Sequence, residues 1–234
     1  MNFGTLAEKK IQPKPGNGSS YPVLLVDQTV IVSPVKPSKH YRKMDNIYVE
    51  EKTFEKIDFS EHALTKGNYE DCKFINCNFA NMDFSHISFA ECEFHGCNLS
   101  MAKTIKTTLN NIRFRDCKLL GIHFENCNDF LLSVSFENCI LNFSSFYKLK
   151  LKKTAFKNSS LQEVDFTETD LTNSNFDNCD LTRAIFNNSV LERVDFRTAY
   201  NYSIDPAINK IKKAKFSVAG IAGLLSKYDI DIDY

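Results

Sequence analysis

The chain has 234 residues, 43% of them apolar, and its 29 Lys and Arg balance 29 Asp and Glu. That length makes one or two domains with a sizeable core, and zero formal charge argues against a simple polycationic arm for nucleic acid. No apolar run approaches the ~18 residues of a spanning helix and no secretory leader opens the chain, so a cytoplasmic protein without membrane contact is expected. The unusual counts are 20 Phe, 8 Cys, 8 Gly and no Trp.

Residues 1–43 stand apart. They carry seven Lys/Arg against two Asp/Glu, a charge of +5, while the remainder carries −5. Pro13, Pro15, Gly16, Gly18, Ser19 and Ser20 read as linker. Val23–Val26 and Thr29–Val32 bracket Asp27-Gln28, as a short hairpin or one extended arm. Such an arm predicts either an upstream leader, with Met44 as an alternative start, or a docking segment for an assembly partner.

Residues 44–199 carry a period of five. From Phe54 every fifth residue is Phe, Leu or Tyr through Leu99, and the run resumes from Leu109 to Phe124 after Thr104. Two residues are then inserted, and a second run is read from Leu131 to Phe196. Neither the helical period of 3.6 nor the strand period of 2 produces this pattern. A chain that turns about a quarter turn every five residues does. Each side of a square coil then points its central residue inward, with a second inward residue two positions earlier. Residues 20 apart stack, so Phe136, Phe156 and Phe176 form one column and Phe146, Phe166 and Phe186 another, as the structural core. Stacking at strand spacing, ~4.8 Å, permits offset aromatic contacts.

The cysteines follow the same period. Cys72, Cys77, Cys92, Cys97, Cys117, Cys139 and Cys179 lie two residues before a central Phe or Leu, and Cys127 fits if the first register runs on to Asp129. They read as small inner-wall side chains, with no CxxC spacing for zinc. His40, His62, His86, His95 and His123 form no ligand pattern, and no nucleophile–base lag or phosphate-binding glycine motif occurs. The expectation is a non-enzymatic protein without cofactor, metal or catalytic residue.

Stretches such as Cys97–Met101 (CNLSM), Val164–Glu168 (VDFTE) and Cys179–Arg183 (CDLTR) resemble the pentapeptide repeat family, whose consensus is A(D/N)LXX. The resemblance covers about residues 52–199. It implies an all-β fold, a right-handed quadrilateral β-helix of about seven coils and, at ~4.8 Å per coil, a rod of roughly 34 Å.

Residues 200–234 leave the repeat as a capping module. Asp205-Pro206 reads as a turn, and Lys210–Phe216 as a last irregular coil. Ser217 reads as the N-cap of a short helix, with Val218, Ile221, Leu224 and Leu225 along one side and Gly220 and Gly223 weakening it. In the quinolone-resistance (Qnr-like) members this region forms a dimer module, so the resemblance implies a homodimer through these four residues. The tail DIDIDY alternates like a strand.

The same resemblance implies a dimeric rod that mimics duplex DNA, binds DNA gyrase or topoisomerase IV rather than nucleic acid, and protects against quinolones or related toxins. Its acidic partner-binding surface is expected at Glu163, Asp165, Glu168, Asp170, Asp177 and Asp180, a stretch without Lys or Arg. Duplex DNA of that length carries on the order of 20 charges, so −5 is weak bulk mimicry. Lys148, Lys150, Lys152, Lys153 and Lys157 form a basic band just before. The alternative is a scaffold or adaptor subunit of a larger bacterial assembly, docked through residues 1–43.

Overall fold

The computed structural model describes residues 23–26, 29–32, 47–228, 230 and 231. Residues 1–43 and 44–234 form separate units. In the first, β1 (Val23–Val26) and β2 (Thr29–Val32) pair antiparallel, with Val23 opposite Val32. The proline-rich linker, Met44 and most of the DIDIDY tail lie outside the described residues.

The second unit is a parallel β-solenoid of about seven turns. Its chain turns at every fifth residue, so four walls repeat in order. The first wall is centred on Val49, Tyr69, Phe89 and Leu109 and resumes at Leu151, Leu171, Leu191 and Ile211. The second is the Phe column from Phe54 to Phe216, seven of whose rungs pair as one parallel sheet. The third holds Phe59, Phe79 and then Leu99 to Leu181. The fourth holds Leu64, Phe84, Thr104 and Phe124 to Phe186.

Backbone groups bond along the rod. Central amides donate one coil onward, as Phe166 N does to Ile185 O at 2.9 Å, and the preceding amide donates one coil back, as Asp165 N does to Ser144 O at 3.0 Å. Each wall is thus hydrogen-bonded on both sides without a helix or sheet partner from elsewhere. The predicted core residues Phe136, Phe146, Phe156, Phe166, Phe176 and Phe186 are all buried. Phe156 lies 5.2 Å from Phe136 and 4.8 Å from Phe176, near parallel to both, and meets Phe166 edge-on at 5.9 Å. Like rings stack along a column and cross at right angles across the interior, both favourable quadrupole arrangements.

The corners explain why few glycines suffice. The residue two after most centres adopts a positive φ, near 50–70°, at Asn76, Asn158, Asn178, Gly96 and Gly121 but also at Phe143, Met101 and several Lys, Arg and Glu. Asn and Gly tolerate this region, whereas larger side chains are strained there. The amide of the corner residue is bonded to the next coil, as Asn158 N is to Asp177 O at 2.8 Å, which holds the conformation.

Three features depart from the sequence reading. Leu131 is not an inward centre: it is 57% exposed at φ 70°, and Phe130 beside it is 73% exposed. Asn128 stays paired to Thr107 O and Val134 to Ile112, so residues 129–133 must bulge where the coil before spends three residues. The C-terminal helix is instead two short 3-10 turns, Ile221–Leu224 and Ser226–Tyr228. Gly220 and Gly223 lie against Tyr202, where Gly223 leaves no room for a Cβ, and Ile204 N bonds Gly223 O at 2.9 Å. This close approach fixes the path before a helical turn can form. Ser217 is not its N-cap, which is Gly220 without a side-chain cap; the Ser217 Oγ accepts from Gly220 N at 3.1 Å and closes the turn before the segment. Lys210–Phe216 is a regular coil, bridged to Val190 and Asp195, with Phe216 stacked 5.4 Å from Phe196.

Two substitutions separate core from corner. Phe156→Ala removes a ring packed on both sides and is expected to cost about 3–5 kcal/mol. Phe143→Asn, at a corner with φ 63° and 59% exposure, is expected to gain about 0.5–1 kcal/mol by relieving strain. Urea midpoints measure both, and a stabilised Phe156→Ala would refute the inward assignment.

Candidate functional site

Among the described residues the interior is filled by apolar side chains. Beside Thr104, the one polar centre in its column, lies a cavity of about 20 Å³ lined by Phe84, Phe124, Leu109 and Leu119 among others. It holds one water at most. Thr104 Oγ1 donates to His123 O at 2.6 Å, so the hydroxyl is already engaged.

The small inner slot does more than fill space. Its donor reaches the carbonyl of the central residue one coil before. Cys97 Sγ approaches Phe74 O at 3.2 Å and Cys117 Sγ approaches Phe94 O at 3.3 Å. Thr169 and Ser189 hydroxyls make the same bond to Phe146 O and Phe166 O, both at 2.8 Å. Cys, Ser and Thr share this slot because each is a small donor. All eight cysteines are free and buried, and burial pushes the Cys127 and Cys179 thiols up to about 12. Reactivity needs an exposed thiolate. With Ellman's reagent the native chain is expected to release no colour, and eight equivalents only on unfolding; a fast-reacting thiol in the folded protein would contradict this.

The outer walls carry the charged and polar side chains. On the second wall charges alternate along the rod. Arg115 sits 3.5 Å from Glu93 and 3.2 Å from Glu137, and Lys157 is 3.0 Å from Glu137. On the third wall amides and hydroxyls form the ladder, such as Asn78 to Asp58 at 3.0 Å and Ser160 to Asn142 at 2.7 Å.

The six predicted acidic residues do not share a face. Glu163 stands at the third-to-fourth corner, Asp165 on the fourth wall, Glu168 at the next corner and Asp170 on the first wall. Asp177 lies on the second wall and Asp180 on the third. The reason is the period itself: five residues are a quarter turn, so a run of acids in sequence becomes a belt around the rod. Most of them also have structural work. Asp165, Asp170 and Asp180 each accept the amide two residues on, at 2.8–3.1 Å. Asp177 accepts from Thr198 Oγ1 at 3.0 Å, Lys148 is 3.6 Å from Glu168, Lys152 is 3.1 Å from Asp170, and Arg183 pairs with Glu163. The acidic-or-amide position of the repeat is thus a brace that sequence reading took for a surface charge.

These braces set an acid limit. Lys157 and Arg115 hold Glu137 below the usual carboxylate range, and Arg197 does so for Asp195. Burial opposes ionisation at Asp170 and Asp180, but Thr172 and Lys152 at one, and Thr182, Gln162 and Asn201 at the other, pull them below it. A depressed folded-state pKa contributes stability that is complete above the unfolded value, about 4, and lost as pH falls through the folded one. The urea midpoint should stay flat from pH 7 to about 5 and fall toward pH 3; a rise on acidification would contradict the bracing role.

Of the four predicted dimer residues, Val218 and Ile221 are exposed, at 87% and 45%, while Leu224 and Leu225 are half-buried in the cap. Among the described residues no group of three His, Cys, Asp or Glu clusters as a metal site, and no helix is long and apolar enough to cross a membrane.

The pentapeptide repeat region family matches residues 67–129 and 130–200, more than half of the chain. The chain belongs to this family. No curated protein matches. Among solved structures, HetL, a pentapeptide repeat protein involved in heterocyst differentiation regulation from the cyanobacterium Nostoc sp. strain PCC 7120, aligns with TM-score 0.50 and 14% identity over 76% of this chain and 89% of its own. A trypsin-treated form of QnrB1, a plasmid-mediated fluoroquinolone resistance protein, aligns with TM-score 0.49 and 16% identity over 81% of this chain and 100% of its own.

Proposed function

We propose that this chain is a non-enzymatic binding rod that engages a protein partner through its outer walls. One observation supports the reading above others. Among the described residues inward side chains fill the solenoid, with a cavity of about 20 Å³ at Thr104, while regular ladders of charge and amide cover its outside. Nothing in such an interior binds a substrate, whereas a rigid, repeating exterior presents side chains at fixed spacing to a partner.

DNA gyrase or topoisomerase IV, in the cytoplasm, is the partner the Qnr-like resemblance suggests. Mimicry of duplex DNA would rest on acidic edges of the rod, because the belt at Glu163 to Asp180 is split among walls and largely braced. Gyrase supercoiling with ciprofloxacin, titrated with the full chain, tests the reading. The expected outcome is rescue at low protein concentration and inhibition at high. Neither rescue nor inhibition would remove topoisomerases as the partner while leaving a binding rod for another protein.

A further inference from the structure

The corner between the first and second walls carries a charge gradient. Glu51, Asp71 and Glu91 hold it on the early coils, and Lys153, Arg193 and Lys213 on the late ones. Every one of these residues has a positive φ and is exposed, so the six project from a single edge. Asn111 and Asn173 fill the remaining regular corners. Between the two halves stands the bulge at 129–133, with Phe130 73% and Leu131 57% exposed. Four rungs of the first wall precede it, from Val49 to Leu109, and four follow, from Leu151 to Ile211.

This pattern is self-complementary under one operation. A two-fold axis in the contact plane, across the rod at Leu131, reverses the coil order of a second copy and keeps corner opposite corner. Glu51 then faces Lys213 of the second copy, Asp71 faces Arg193, Glu91 faces Asn173 and Asn111 faces Lys153. Phe130 and Leu131 meet their own equivalents at the centre. Parallel alignment instead sets like charge on like. Among the described residues none of Glu51, Asp71, Lys153, Arg193 and Lys213 is within ion-pair distance of an opposite charge in its own chain. Their partners are vacant, unlike those of the braced acids on the walls.

We propose that this edge is a self-association surface, on which two copies of the chain lie antiparallel about Leu131. The interface is isologous, so each surface residue is used twice. The central apolar side chains supply the affinity, because desolvated anchors dominate interfaces. The flanking charges fix direction and register rather than strength, since exposed ion pairs contribute about 0–1 kcal/mol each. Glu70 and Glu192 face each other as like charges, and the Tyr48 hydroxyl bonded to Glu70 moderates this. The surface is distinct from the cap at Val218 and Ile221 and independent of the topoisomerase reading.

Sedimentation velocity on the full chain tests it at low and at high salt. The expected result is a concentration-dependent dimer at low salt that weakens at high salt. Leu131→Glu sets like charges on the axis and should raise the dissociation constant about tenfold or more. Lys213→Glu should weaken the dimer, and adding Glu51→Lys to the same chain should restore it, because the swapped pair forms again between copies. All three positions are exposed, and an unchanged thermal melt checks that each variant folds. A wild type that stays monomeric at low salt overturns the proposal. So does a dimer lost on Val218→Asp but untouched by Leu131→Glu, or a swap that restores nothing.

Discussion

The structure depends on one constraint: the chain must turn a corner after every fifth residue. The corner residue goes into the left-handed region, where L-residues with a Cβ are unfavourable. Asn and Gly take some corners, but Phe143, Met101, Arg183 and Lys213 take the same conformation. At Phe143 and Met101 the next coil holds it, the corner amides donating to Gln162 O at 3.0 Å and Leu120 O at 2.8 Å. Local strain is thus offset by a contact 19 residues away in sequence, and no single coil holds its shape alone. This ties the fold to its length, because each coil needs a neighbour, and at the C-terminal end Tyr202 and the 3-10 turns pack onto the last coils.

Once the corners are set, inside and outside follow different rules. The inside is aromatic and aliphatic stacks, with a second slot that holds small apolar residues such as Ala102 and Val164 or small donors, where Cys, Ser and Thr all reach a carbonyl of the coil before. The cysteines thus serve packing and hydrogen bonding of the inner wall. The outside is divided into narrow walls, and neighbours on a wall are 20 residues apart. Charge that looks clustered along the chain is dispersed around the rod, and charge that looks scattered is aligned along it. The belt at Glu163 to Asp180 is the first case, and the edge carrying Glu51, Asp71, Arg193 and Lys213 the second.

The core was legible in the sequence because a period of five has few geometric solutions. Phe136 to Phe186 are buried where the period placed them. The cysteines were legible for the same reason, although their bonds to carbonyls were not, since side-chain length alone does not show what lies above. Leu131 was misread because the two inserted residues have no fixed position in a periodic count. Only the pairs Asn128–Thr107 and Val134–Ile112 show which residues must bulge. The C-terminal turns were misread because Gly220 and Gly223 answer to Tyr202, a contact no local propensity contains.

The outer surface divides in the same way. By itself the sequence determined the period and the inward residues, because these are properties of spacing and residue type. Which outward residues share an edge, which carboxylates brace their own backbone, and where the extra two residues go were decided only by the stacked coils. The physical reason is that the inward pattern repeats within one coil, whereas an outer surface is assembled across coils, 20 or 22 residues at a time.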